Sequence, residues 1–501
     1  MTATTHDEET PLLPQQQRKK KITPLPWGQF SILLILQLAE PLTSQVISPF
    51  APQLVRDVGI THGDETRVGH YVGLMYSIFF ATQALTVLHW SRLSDHLGRR
   101  PIIMTGLFGL SLSMYSFGLS KTYWGAVMSL NGALNGNIGV LKSMVAEITD
   151  SSNLPQAYAY LPISWSTGQA LGPAIGGYFS KPTEQFPDIF GGIEFLKDYP
   201  YFLACAIPAT FSLVALLVTL FFLKETVTSP LSIRRFLAMR TGKANLTLQN
   251  VSSSQDNRVG PAGTTEEVDK TNDSVAAANK PLPLKDLLNS KVVISALNYA
   301  SLALTDIAIR SVQPVFYATP VELGGLGLPP WKIGRILSVY GVLNGLVQIL
   351  AFARIHNRFG SRRVYLWSIA TSLPVIAVFP IINMLAKAEG SDSTSVLVAV
   401  GIQIVLSIFI NFAYGCIFIF ITASAPNKAS LGTVNGFCQV GVSLMRTVGP
   451  ASANSLFSLS IDPKHHYLDG NLVYVALGAL VCLGLVCADY LPKTDEDDNE
   501  S

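Results

Sequence analysis

Long apolar blocks separated by short polar joins run through this chain. A bilayer span takes roughly 20 mainly apolar residues. Twelve blocks reach that length, near 29–53, 69–90, 102–120, 122–147, 157–179, 200–222, 291–317, 333–353, 364–386, 395–422, 432–459 and 471–490. In lipid such a segment satisfies its own backbone only as a helix. The pattern predicts an all-α integral membrane protein with twelve transmembrane helices, numbered below as spans one to twelve.

The polar remainder divides the chain. Residues 1–28 form a polar tail, 29–223 a first six-helix bundle, 224–288 a linker, 289–491 a second six-helix bundle and 492–501 an acidic tail. The linker is dominated by Ser, Thr, Asn, Asp and Lys. It has too little apolar surface to offset its ordering entropy, so disorder is expected there. The first 28 residues end in a basic cluster, Arg18 to Lys21, and lack the apolar core of a cleavable signal. Span one is then expected to act as the insertion signal.

Composition narrows the class. The 501 residues are 49% hydrophobic and 14% charged, where soluble domains carry about 25% charged residues; the mean hydropathy is +0.36. The net charge of +2 gives no basis for nucleic-acid binding. With the N-terminus in the cytosol, 22 of the Lys and Arg residues fall in cytosolic segments and 9 in external ones. That bias follows the positive-inside rule and puts both termini in the cytosol. The five cysteines all lie in spans without metal-ligand spacing and read as small packing residues. The histidines are scattered, so no metal site is expected. H-E-x-x-H, G-x-S-x-G and Walker sequences do not occur, so neither enzymatic chemistry, a cofactor nor direct ATP drive is expected.

The two bundles echo each other. RLSDHLGRRP from Arg92 has a counterpart in RIHNRFGSRRV from Arg354, 262 residues on. Gly172-Pro173 in span five recurs as Gly449-Pro450 in span eleven, 277 residues on, and Glu40 in span one is matched by Asp306 in span seven, 266 on. Three matches at similar offsets indicate two pseudo-symmetric six-helix bundles.

The first loop carries a recognisable motif. Ser91-Arg92-Leu93-Ser94-Asp95-His96-Leu97-Gly98-Arg99-Arg100-Pro101 resembles the G-x-L-S-D-R-x-G-R-R-P loop between spans two and three of major facilitator superfamily transporters. Ser91 replaces the first glycine and His96 a basic residue. The resemblance covers both bundles and implies the major facilitator fold, alternating access and a gating role for the loop. Gly98 and Pro101 supply a sharp turn. Asp95 is implied to face the start of span eleven, and Arg99 and Arg100 to meet Glu147 and Asp150 at the end of span four. The second copy, with Arg358, Gly360, Arg362 and Arg363, has Asn357 where the aspartate would stand. A purely topological role for the arginines is the alternative, but topology needs no aspartate.

Span five contains TGQALGPAIGG, in which Gly168, Gly172 and Gly176 recur every fourth residue and form a face that a neighbouring helix can approach closely. Pro173 removes a backbone donor and permits a bend. With Gly177, the stretch resembles the G-x-x-x-G-P-x-x-G-G signature of exporting, antiporter branches. PLPWGQFSILLILQLAEPLTSQVISPF, NGALNGNIGVLKSMVAEITD and ATPVELGGLGL are similar to a fungal group of drug:proton antiporters and to the plant zinc-induced facilitator-like transporters. The arginine that this group carries in span four falls on Met128, which leaves the coupling route open.

Ionisable groups inside a bilayer are expensive and mark functional candidates. Glu40, followed by Pro41, is the leading proton-coupling candidate, with Asp306 second. Asp306 and Arg310 are four residues apart on one face of span seven and are expected to pair, with Arg446 competing for the same carboxylate. A structural ion pair would look the same. Lys142 either snorkels to the interface or attracts anionic substrates. The expected cavity wall comprises Gln37, Asn131, Asn135, Trp165, Asn298, Tyr299, Tyr340, Asn344, Asn411, Tyr414, Asn435 and Gln439. An apolar lining with a few polar and aromatic groups suits an amphipathic ligand, although the asparagines equally serve as helix–helix glue.

The expected function is efflux of small hydrophobic toxins, azole-like antifungals or secondary metabolites, driven by the proton gradient and carried out by a monomer. A vacuolar facilitator acting on zinc through a chelator is the alternative, and a non-transporting sensor on a transporter fold is a third. Glu8, Leu12 and Leu13 resemble an acidic dileucine sorting signal, yet the plasma membrane is narrowly favoured over the vacuolar membrane.

Overall fold

The computed structural model of the protein describes residues 23–130, 137–150, 153–227, 289–424, 426, 431–464 and 467–491. Among these the chain is helical and forms no strand, as a backbone in lipid requires. Helices fall on every predicted span. Spans one to three are Trp27–Val46 with Ala51–Asp57, Val68–Leu97 and Arg99–Gly118. Spans four to six are Tyr123–Ser129 with Asn137–Ile148, Leu154–Phe179 and Phe202–Phe222. Span seven is Ser290–Ala318; Pro330–Ala370 carries span eight and the start of span nine, which Ser372–Glu389 completes. Thr394–Ile410 with Phe412–Ser424, Leu431–Ser460 and Leu472–Asp489 are spans ten to twelve. Six helical stretches among the described residues are each long and apolar enough to cross a bilayer, and the two helices of span one, bent by 49°, make a seventh. Glu8, Leu12, Leu13, Asn131, Asn135 and nearly all of the linker lie outside the described residues.

Several helix starts have local causes. Thr122, Asn289 and Ser393 accept from the backbone N–H groups of Gly125, Val292 and Val396, satisfying donors that a helix start leaves open. Pro41, Pro173, Pro314 and Pro450 stand inside spans one, five, seven and eleven. Such prolines are tolerated in a membrane bundle because neighbouring groups can satisfy the backbone they free.

The halves meet along two helix pairs, span two on span eleven and span five on span eight. The internal repeat reappears in these contacts. A Cβ on Gly334 of span eight would overlap the Pro173 carbonyl oxygen, and one on Gly73 of span two would overlap the Pro450 carbonyl oxygen. Gly73 and Gly334 are 261 residues apart, close to the offset of the arginine loops. Each Gly-Pro pair therefore seats its proline carbonyl on the equivalent glycine of the opposite half. The Gly168, Gly172 and Gly176 face packs instead within its own half, where side chains would run into Pro41, Gln45 and Val46 of span one. Gly177 faces Pro330 and Gly334 of span eight.

Hydrogen bonds between the halves gather at the end away from the arginine loops. Arg56 donates to the Ala318 carbonyl (2.8 Å), the His70 N–H to Ser458 Oγ (2.9 Å) and the Ala451 N–H to Ser77 Oγ (2.9 Å). These three bonds, with the glycine contacts, close that end of the molecule.

Candidate substrate cavity

Between the halves, midway along the spans, span seven presents Asp306 and Arg310 one helical turn apart. Arg310 Nε donates to Asp306 Oδ1 at 2.6 Å, and Tyr414 Oη donates to the other carboxylate oxygen at 2.9 Å. Arg310 Nη2 donates to Asn411 Oδ1 (2.8 Å), whose amide donates to Tyr340 Oη (2.9 Å). The guanidinium also lies over the Tyr340 ring, 5.5 Å from its centroid. With its amide oxygen turned toward the donors, Gln169 of span five accepts from Arg310 Nη1 (2.8 Å) and Trp165 Nε1 (3.1 Å). That bond joins the two halves at the centre of the molecule. Arg446 of span eleven forms no ion pair with the Asp306 carboxylate, which Arg310 and Tyr414 hold, but stands within electrostatic reach of it.

The first half contributes Glu40 and Lys142. Gln83 of span two donates to Glu40 Oε1 at 3.1 Å. Lys142 is solvent-exposed, yet it lies within electrostatic reach of both Glu40 and Arg446. Exposure together with charged neighbours from both halves places it in a water-accessible interior. Asn435, Gln439 and Arg446 share a face of span eleven by their spacing of seven and eleven residues, and the first two are exposed. The interior therefore opens toward the arginine loops.

Four of the expected wall residues are packed away. Asn298 is 1% exposed and donates to the Ile294 and Cys487 carbonyls (both 3.0 Å), tying span seven to span twelve. A buried amide needs such partners, so its role here is helix glue. Tyr299 is buried with its ring edge-on to Tyr414 and Phe418, and Gln37 and Asn344 are also buried. Met128 is exposed.

At the first arginine loop, Arg99 Nε and Nη2 donate to Glu147 Oε1 (3.1 and 2.9 Å) and Nη1 to Ser94 Oγ (2.6 Å). Arg100 does not follow Arg99 to span four; its guanidinium turns to the Leu220 carbonyl at the end of span six. Asp150 is engaged by the Thr23 hydroxyl and by the Asn153 N–H (3.2 Å). The Asp95 side chain and residues 427–430, before span eleven, lie outside the described ones. At the second loop Arg362 donates to the carbonyl and carboxylate oxygens of Asp489 (both 2.8 Å), Arg358 lies over the Phe359 ring and Arg363 is exposed.

Sequence reasoning missed three residues. Glu225 accepts from the backbone N–H groups of Arg99 (2.8 Å) and Arg100 (3.0 Å), so a carboxylate caps the start of span three. Its position directly after span six was the available signal. Gln83 and Gln169 each stand alone in an otherwise apolar stretch, which was signal enough to count them with Gln37.

Two pseudo-symmetric six-helix bundles around a water-accessible interior, with charged groups entering from both, define a membrane transporter and not an enzyme. The chain belongs to the Major Facilitator Superfamily, whose family model matches residues 33–450. It is 26% identical to the Major facilitator superfamily multidrug transporter mfsB of Aspergillus fumigatus, over 94% of this chain and 84% of that protein. It is likewise 26% identical to Protein ZINC INDUCED FACILITATOR 1 of Arabidopsis thaliana, over 94% of this chain and 92% of the relative. In fold it is similar to the D-xylose-proton symporter, with a TM-score of 0.63 at 14% identity over 94% of this chain and 99% of the other.

Proposed function

We propose that the protein exports small hydrophobic toxins, antifungal compounds or secondary metabolites in exchange for protons, with Glu40 as the proton-carrying group. The placement of Glu40 carries the reading. Its carboxyl lies along span one beside Pro41, is held by Gln83 of the neighbouring span and faces the Lys142 charge. Protonation would remove the charge that Lys142 faces, so the two protonation states favour different arrangements of spans one, two and four. Asp306 is less suited to the task, since Arg310 and Tyr414 already hold both its oxygens. The Arg99–Glu147 bridge is the gate element in this reading, with the protein a monomer in the plasma membrane and both termini in the cytosol. The likeness to a fungal multidrug transporter supports the substrate class.

The test is transport in sealed vesicles with a pH gradient imposed in each direction, using azoles, lipophilic dyes and a zinc–chelator complex. Drug movement that follows the gradient and falls more than about tenfold in Glu40→Gln is the expected result, equivalent to about 1.4 kcal/mol of coupling. If the drugs stay put and the chelator complex moves, a vacuolar facilitator acting on zinc becomes the better reading. The Arabidopsis relative is what favours that alternative.

A further inference from the structure

Past span six the chain turns back onto the first arginine loop, and Glu225 holds the return. One of its carboxylate oxygens accepts from the backbone N–H groups of Arg99 (2.8 Å), Thr226 (3.0 Å) and Val227 (3.2 Å), and the other from that of Arg100 (3.0 Å). So held, the segment lays Thr226 against the end of span four, where its hydroxyl donates to Glu147 Oε2. The other oxygen of Glu147 takes Arg99 Nε and Nη2. A hydroxyl from outside the helices thus reaches the carboxylate of the Arg99–Glu147 bridge. Thr226 is partly exposed, within reach of an enzyme acting from solvent.

A neutral hydroxyl suits that place because it donates to a carboxylate. A phosphate on the same oxygen does not. It carries about −1.5 to −2 charges at pH 7 and brings acceptor oxygens where a donor was. It would stand beside two carboxylates, Glu147 and that of the adjacent Glu225, while the Arg99 guanidinium is already engaged by Glu147 and Ser94. Repulsion from two anions in contact outweighs attraction to one shared cation, so the segment leaves the loop. With it go the Thr226 bond and the Glu225 cap on span three.

We propose that Thr226 is a phosphorylation site, through which a protein kinase lowers transport by detaching residues 225–227 from the first arginine loop. The reaction passes the γ-phosphoryl group of ATP to Thr226 Oγ1, with release of ADP and of the hydroxyl proton. The proposal rests on the transport reading and its cytosolic placement of this loop, and adds a point of regulation.

The first experiment is mass spectrometry of the full chain purified from eukaryotic cells with phosphatase inhibitors present. Trypsin releases the peptide 225–234, in which fragmentation tells Thr226 from Thr228, Ser229 and Ser232. Phosphate on Thr226 is expected; its absence, or phosphate on the other three alone, overturns the proposal. Thr226→Glu and Thr226→Gln then separate charge from bulk. The unfolding midpoint of Thr226→Glu should lie about 2–4 °C below that of Thr226→Gln. The gap should narrow in high salt and on adding Glu147→Gln. Equal midpoints would mean that charge at this position does not detach the segment, which also overturns the proposal.

In sealed vesicles, phosphatase at the loop face should speed azole movement about fivefold or more, the low end of an ordinary coupling between sites. Thr226→Val should not respond to it. Flux indifferent to phosphatase would sink this proposal alone. No flux in either form would sink the export reading alone, since the phosphate map and the midpoints need no substrate. Labelling of Lys224→Cys by a membrane-impermeant maleimide checks the placement of the loop separately: it should require permeabilised cells, and labelling of intact cells would sink both.

Discussion

Gly98 and Gly360 occupy the same point of the two arginine loops, each at positive φ (+104° and +75°). In both loops the residue four before the glycine bonds the residue just after it. Ser94 accepts from Arg99 in the first, at 2.6 Å, and His356 Nε2 meets Ser361 Oγ in the second, at 2.7 Å. In both, the arginine two beyond the glycine donates to a backbone carbonyl near the end of its bundle's sixth helix, Arg100 to Leu220 and Arg362 to Asp489. The difference lies in the acids. The first loop sets Arg99 against Glu147 and caps span three with Glu225, whereas the carboxylate met by the second, Asp489, has a side chain 79% exposed. Duplication gave both halves the turn and the carbonyl anchor; among the described residues the Glu147 and Glu225 contacts stand at the first loop. Gating by ion pairs is thus a property expected of the first loop, with the second acting as a hinge of fixed shape.

The comparison breaks most sharply at the glycines. Gly98→Ala forces a side chain into a backbone region that only glycine occupies comfortably, at a cost of about 1–3 kcal/mol. Its Cβ would also lie 2.5 Å from Glu225 Oε2, displacing the carboxylate from the Arg99 and Arg100 N–H groups. Losing that cap adds about 1 kcal/mol. Gly360→Ala incurs the backbone cost, without a Glu225 to displace. Thermal unfolding midpoints of the two variants should both fall, that of Gly98→Ala further. Equal drops would show that Glu225 contributes nothing at the first loop.

Next in size is Arg99→Ala. The Arg99 side chain is 10% exposed and that of Glu147 32%, so the expected loss is about 2 kcal/mol, below the range for fully buried pairs. Transport should fall with it, and Glu147→Gln should reproduce most of the effect. A double variant no worse than either single one would identify the pair as the unit that matters. Additive losses would instead mean that Arg99 and Glu147 act separately.

The frame was legible in the sequence because its signals are physical and repeated. Twelve apolar blocks, two glycine-centred loops and two Gly-Pro pairs each answer to a lipid or close-packing demand that few residues meet. The Asp306–Arg310 pair was readable from one helical turn of spacing. The rest depended on which span faces which. Nothing in the order of residues says that Gln169 bridges to Arg310 or that Asn298 turns toward span twelve. Arg100 and Asp150 part company for the same reason: the motif fixes the loop, while the end of span six and the Thr23 segment decide which partners are in reach.

A finer test is Glu225→Gln. The amide oxygen can still accept from one backbone N–H, so what disappears is the negative charge at the start of span three. A charge in that position contributes about 0.3–1 kcal/mol, and the unfolding midpoint should fall by a correspondingly small amount that shrinks further in high salt.

The smallest effect is expected at the second loop. Arg362→Ala removes a bridge to an exposed carboxylate, worth less than about 1 kcal/mol, and a donor to the last turn of span twelve. Arg100→Ala removes the matching donor to span six from an arginine whose backbone N–H also serves Glu225. If the sixth-helix anchors are the shared part of the design, the two substitutions should lower the midpoint by similar small amounts, each well below Arg99→Ala. A loss at Arg362 as large as that at Arg99 would mean that the second loop carries a charge-based latch of its own. The asymmetry would then be one of chemistry and not of strength.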